Sequence, residues 1–448
     1  MAGLTEPQRA ALTAVIDRAP DALLTKLAPV AAAMGGERAA QLSEMLVALR
    51  VERRRRARAF GPLLPMFRAR ADGVDALTFP PGGLSRVWAA TAAREPGLAE
   101  MLDLDDPQAV QAGDHLCQTA AGLIRNNPSL ASLDADARVA EDLAISLDLA
   151  PLVRRALPTL EAWVRRPDEN QVAELRLLLR DCTGIHPDGA RRALEILFAH
   201  LADAVLVLRI LTWVSGEAAR ERFLAGTELA SFVERITAAI GARSVRVLSF
   251  QPRRDADGVD AVIADLSWCA VALAELDLTL ELDPGGPWGA SVRGARQGLS
   301  RHISDLLAAA DKAAAKAFPS ERVRVAGQMT RRAPKLTSSR DGEDMVSALN
   351  LLRLVGSLRR PAAALGAEAA RAALVETLTG RLSDWADEAL NLVNHDEAED
   401  EVHALRLVEQ AAVCLDALGA DQAARTVRRR VAAAGAPKTA TRPSSRVA

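Results

Sequence analysis

His395, Glu399 and His403 are spaced four residues apart, which stacks side chains along one face of a continuous helix. An imidazole–carboxylate–imidazole stripe can ligate zinc or iron. A facing helix could complete the shell with Asp384, Asp387 or Glu388. Asp396, Asp400 and Glu401 crowd the same stretch. A second reading needs no metal. Asn394 caps the helix, and acids in its first turn complement the helix dipole by about 0.3–1 kcal/mol each. The histidines then face water. Capping is the stronger expectation, so no cofactor is expected and a divalent metal belongs to the alternative.

Cys182 and His186 sit four residues apart in a turn between helices and could pair as thiol nucleophile and base. Nothing nearby offers a third group to orient the imidazole. Asp114, His115 and Cys117 share a short helical segment but not one face. The short catalytic signatures are missing. There is no Gly-Lys dipeptide to form a phosphate loop, no Gly-x-Gly-x-x-Gly turn after a strand and no His-Glu-x-x-His. Gly289-Ala290-Ser291-Val292-Arg293-Gly294 lacks the spacing of a serine elbow, and the chain contains no tyrosine. These absences lower the expectation of an enzyme.

Charge is more informative. Eight arginines and one acid, Glu52, lie between Arg50 and Arg70; Asp384 to Glu401 holds eight carboxylates and no Lys or Arg. Arg428 to Ala448 holds six basic residues and no acid. Blocks of one sign mark solvated faces or interaction tails. The run Arg53, Arg54, Arg55, Arg56 and Arg58 closes a helix that carries Leu46, Val47, Leu49 and Val51. It could hold phosphates of nucleic acid or anionic lipid. A solvated helix end or a protein-binding patch is the stronger reading, because stacking aromatics and a reader element are lacking. Most tryptophans fall on apolar helix faces. Trp288 differs, lying in Pro284-Gly285-Gly286-Pro287-Trp288-Gly289, where an exposed indole could anchor a contact.

The elements that must position these groups are helices. The 448 residues are 49% hydrophobic, 25% charged and only 3% aromatic, with net charge −2. Ala, Leu, Arg and Glu dominate, and β-branched residues are scarce. Collagen, a disulfide scaffold and wholesale disorder are excluded. Cys117, Cys182, Cys269 and Cys414 lie far apart and read as small buried hydrophobes. Helix starts are expected at Thr5 with Gln8, Asp168 with Gln171, Asn394 with Glu397 and Asp341 with Asp344. Stops are expected at Gly35-Gly36, Gly184, Gly241 and Gly419.

Residues 193–214 read as one buried helix, since Glu195, His200, Asp203 and Arg209 argue against a membrane span. Residues 258–282 also read as one helix, with a hairpin of 244–250 and 276–282 as the alternative. No repeat is visible. The expected organisation is all-α, a multi-helix array or bundle. A larger helical body, 1–318, has a possible sub-boundary near 60–83. A basic linker at 319–341 leads to a small C-terminal helical domain, 342–435, and a disordered basic tail, 436–448.

The N-terminus has no basic segment followed by an apolar one, so a cytoplasmic protein is expected. Arginine far outnumbers lysine, which fits a GC-rich bacterial genome. Together these features point to a non-catalytic helical interaction module with a protein partner: an adaptor, scaffold or regulator. The alternatives are a peripheral binder of nucleic acid or anionic membrane through Arg-rich segments, and a metal-dependent helical enzyme built on His395, Glu399 and His403.

Overall fold

The computed structural model describes residues 5–18, 21–134, 136–216, 219–251, 258–324 and 330–434. The tail read at 436–448 lies outside the described residues. The described chain is all-α apart from one short antiparallel pair. It divides into two compact units, Met1–Gly216 and Glu217–Ala448.

The first unit runs through α1 (Glu6–Arg18), α2 (Asp21–Ala33), α3 (Glu37–Phe60), a tight 3-10 segment (Gly61–Phe67), α4 (Pro81–Arg94), α5 (Pro96–Met101) and α6 (Pro107–Asn126). It continues with α7 (Ala137–Ala156), α8 (Leu160–Arg165), α9 (Glu169–Ile185), α10 (Gly189–His200) and α11 (Val207–Ser215). The second holds α12 (Glu221–Leu224), α13 (Ala230–Ser249), α14 (Val259–Thr279), α15 (Pro287–Ala317), β1 (Ser320–Arg324) and β2 (Thr330–Pro334). It closes with α16 (Glu343–Ser357), α17 (Arg359–Ala364), α18 (Glu368–Asn394), α19 (Glu401–Ala417) and α20 (Asp421–Ala434). Among the described residues, no helix is long and apolar enough to cross a membrane.

Local chemistry explains most of the boundaries. Asp168 accepts from the Gln171 amide at 2.9 Å while the Gln171 side chain accepts from the Asp168 amide at 2.9 Å, the reciprocal box expected from sequence. Gln8 Oε1 accepts from the Thr5 amide at 3.1 Å at the start of α1. Asp106 and Asp136 cap α6 and α7, each side chain accepting from two amides of the first turn. By contrast, α16 starts after Gly342 without a side-chain cap, so Asp341 does not play that role.

In the first unit Phe60, Trp163 and Phe198 are fully buried, each side chain stabilising the fold by about 1.5–3 kcal/mol. A buried ion pair fixes the segment after the 3-10 turn. Arg70 pairs with Asp72, donates to the carbonyls of Phe198 and Leu201, and lies 4.5 Å over the Phe198 ring. Burial works to raise the Asp72 pKa, but Arg70 and the amides of Ala204 and Val74 overcome it and hold the carboxyl below its ordinary range.

The 193–214 stretch is two helices. Leu201 leaves the helical region, and Asp203 restarts the chain by accepting from the Val205 amide at 3.0 Å. His200, Asp203 and Arg209, among the polar residues that argued against a membrane, each make a hydrogen bond to the backbone of the fold. Arg209, for example, donates to the Val164 carbonyl at 2.7 Å.

In the second unit, 258–282 is helical as far as Thr279, and 244–249 belongs to α13, so the alternative hairpin does not form. The alternating leucines explain the ambiguity. Leu276 and Leu280 are one helical turn apart and buried, while Leu278 projects on the opposite side, 75% exposed. A different hairpin exists. The stretch read as a basic linker lies inside this unit and pairs β1 with β2, from Ser320↔Pro334 to Arg324↔Thr330.

Glu221 closes the start of α15. Only 2% exposed, it accepts from the amides of Asp283, Trp288 and Gly289 at 2.9, 2.7 and 3.1 Å. Its carboxylate thus satisfies donors that a helix N-terminus leaves unpaired.

Candidate interaction groove

The three residues read as a metal stripe do not share a helix. α18 ends at Asn394, and His395 is its C-cap. Asp396 takes φ 60°, Glu397 N donates to Leu392 O at 2.8 Å and Asp396 N to Val393 O at 3.2 Å. This is a Schellman closure with aspartate at the left-handed position. The chain passes Glu399 in a loop and becomes helical again at Glu401. There Asp400, not Asn394, caps α19 by accepting from the His403 amide at 2.9 Å. The His403 ring meets the Ser338 carbonyl at 3.0 Å. Asp387 pairs with Arg430. Among the described residues no group of three or more His, Cys, Asp or Glu is placed to hold a metal ion.

Cys182 and His186 are likewise not assembled for catalysis. Burial pushes the Cys182 thiol up to about 12, and His186 Nδ1 accepts from the Asp188 amide at 3.1 Å. Cys117, Cys269 and Cys414 are also buried.

The arginine run lies where sequence places it, at the end of α3, and its side chains bind the fold. Successive helical residues diverge by about 100°, so neighbouring arginines reach different elements. Arg53 donates to the Ile16 carbonyl at 2.8 Å, and Arg56 to Ser85 Oγ at 2.6 Å. Arg54 and Arg55 converge on Asp103, at 2.7 and 2.6 Å. Their hydrogen bonds, Arg55's first, hold the Asp103 carboxyl below its ordinary range. Arg58 donates to the carbonyls of Leu102 and Leu104 at 2.6 and 2.8 Å and pairs with Asp105. The run therefore clasps α3 to the connection between α5 and α6.

Trp288 is not an exposed anchor. It lies in the first turn of α15 and is only 4% exposed. Pro287 at the start of α15 is the local signal that its neighbour belongs to a helix rather than a loop.

Two clefts border the arginine run of α3. One, about 850 Å³, is lined by Arg58, Arg154 and Arg155 and by Asp105, Asp106 and Asp114. Its charges are largely spent on each other: Arg58 on Asp105, and Arg154 and Arg155 on Asp114. The other lies against α2 and is about 480 Å³. Leu24, Val47 and Val51 line it with Arg50, Arg53 and Arg54, and no carboxylate does. Arg50 is exposed and forms no ion pair with another described residue.

Val47 also lines a further cleft of about 640 Å³, which includes Ala39, Glu44 and Ala48. The two openings together follow α3 from Ala39 to Ala57, about 27 Å at the helical rise.

The α2 helix adds a second surface. Leu24 and Ala31 are buried beside Ile16 and Leu46. Leu23, Leu27, Val30 and Met34 are left between 39% and 71% exposed. Their 4-3-4 spacing is that of a coiled-coil seam. Sequence reading singled out the arginines but passed over this stripe, because the pattern alone does not say which of two apolar faces the fold covers.

No family model matches this chain, and no curated protein or solved structure matches it at a significant level.

Proposed function

We propose that this chain is a non-catalytic helical interaction protein, an adaptor, scaffold or regulator, that docks an acidic amphipathic helix of a partner protein on α2 and α3. The observation that carries this reading is the cleft beside α2, with an apolar lining of Leu24, Val47 and Val51, no carboxylate in its lining and the exposed Arg50 at its rim beside Arg53; Arg54, on the same rim, is paired with Asp103. An apolar helix face fills such a lining, and flanking Asp or Glu complements the arginines. The heptad-spaced stripe of Leu23, Leu27, Val30 and Met34 supports a helical occupant over an extended one. Large exposed apolar surface of this kind marks association sites.

The test uses two labelled helical peptides about three heptads long, with Leu at positions a and d. One carries Glu at the flanking e and g positions, the other Lys. Fluorescence anisotropy with the full chain is expected to give binding of the Glu peptide at least about tenfold tighter than the Lys peptide, a difference of about 1.4 kcal/mol. Val47→Asp abolishes binding of both, and Arg50→Glu removes the preference. If neither peptide binds, or if the Lys peptide binds equally well, the reading fails.

A further inference from the structure

Arg53, Arg54, Arg55, Arg56 and Arg58 of α3 are held by internal partners; in α20, Arg428 pairs with Glu409 and Asp416, and Arg430 with Asp387. Arg322 and Arg332 of the β1–β2 ribbon are not so held by any described residue. Arg322 and Arg332 occupy directly opposed positions in the antiparallel register. Both are exposed, and neither forms an ion pair or side-chain hydrogen bond with another described residue. Like charges directly opposite one another destabilise a strand pair. The surrounding segment 320–340 adds Arg324, Arg331, Lys335 and Arg340 against one acid, Glu321.

The base of the ribbon is nonetheless firmly seated. Ala333 is buried, and Lys335 N donates to the Pro319 carbonyl at 2.9 Å. Trp385 Nε1 on α18 donates to the same carbonyl at 3.1 Å, with the Phe318 ring against the indole edge at 5.1 Å. The result is a cationic two-stranded ribbon seated against α18.

We infer that the β1–β2 ribbon binds the phosphates of duplex DNA. The B-form major groove admits a two-stranded ribbon, and cations on such a ribbon displace the condensed counterions of the duplex. Opposed Arg322 and Arg332 then lose their mutual repulsion to phosphate contacts, which converts a cost in the free chain into binding. A bilayer is a poorer fit, since surface-bound segments bury an apolar face. Ser320, Glu321, Arg322, Arg332 and Lys335 are exposed and carry no large apolar side chain. Duplex RNA is also a poorer fit, because its major groove is deep and narrow. Charged strand edges also guard against edge-to-edge pairing, a role that either sign of charge fills, whereas phosphate binding needs cations.

The experiment measures anisotropy of a labelled mixed-sequence DNA duplex with the full chain from about 50 to about 200 mM salt. Binding that weakens steeply with salt is expected. Arg322→Ser with Arg332→Ser lowers the slope of log K against log salt by about 2. Arg322→Glu with Arg332→Glu keeps the edges charged and the chain unaggregated, yet reduces affinity more than about tenfold. Arg322→Lys with Arg332→Lys keeps the binding. None of the three variants lowers the melting midpoint, because none removes a buried contact, and the Ser pair also relieves the repulsion between the strands. Absence of duplex binding at the lowest salt overturns the inference. So does binding that all three variants leave unchanged, tighter binding of duplex RNA, or binding of phosphatidylserine vesicles without binding of DNA. Because the readout is DNA rather than the helical peptides, failure here leaves the α2–α3 reading standing, and the reverse also holds.

Discussion

Asp396 decides where α18 ends, and with it whether His395, Glu399 and His403 could ever lie on one helix face. A non-glycine residue at φ 60° costs about 1–2 kcal/mol in the left-handed region. The aspartate conformation persists because Glu397 and Asp396 close the last turn onto Leu392 and Val393. Asp396→Gly removes the Cβ penalty and returns part of it as unfolded-state entropy. The variant is expected to be more stable by about 0.5–1 kcal/mol, read as a rise in the urea midpoint at unchanged slope. A loss of stability would mean that the aspartate side chain itself holds the turn. The break could not be read from residue types, since Asp is common both in helix first turns and in left-handed turns.

Helix starts were the most legible elements. Asp168 and Gln171 form the box that their spacing implies, and Asp168→Ala is expected to cost about 1 kcal/mol in a denaturant titration. If the cap stabilises α9 alone, hydrogen exchange quickens at the start of α9 and not in α7. The pairs Asn394 with Glu397 and Asp341 with Asp344 look the same in sequence and do not cap. A cap needs the preceding backbone to turn away from the helix, and this depends on what the neighbouring segments pack against. The β1–β2 ribbon was missed for a related reason. Its strands are short and cationic, and their pairing depends on a base held by Trp385 and Phe318, residues outside the ribbon.

Across the whole chain, acid sensitivity follows from two half-buried histidines, one in each compact unit. His200 Nε2 donates to the Pro62 carbonyl at 2.7 Å, a carbonyl being able only to accept. Burial nevertheless lowers its pKa, and that of His302, below 6.5. As pH falls past 6.5 the unfolded chain binds these protons first. Stability is therefore complete above that value and declines as pH drops towards the folded pKa values. The melting midpoint is expected to fall between about pH 7 and about pH 5. His200→Gln, which keeps a donor for Pro62, should flatten part of that fall; an unchanged profile in the variant would assign the acid loss to other groups. The all-α class was legible in residue order, because helix propensity, apolar period and several caps are local properties that agree along the chain. Residue order also located the arginine run and the acidic stretch. Only tertiary structure decided what those charges do. A guanidinium is spent on Asp103 or left facing a cleft according to which elements pack within its reach. The same packing buried Trp288, separated His395 from His403, and left Leu27 and Val30 uncovered on α2.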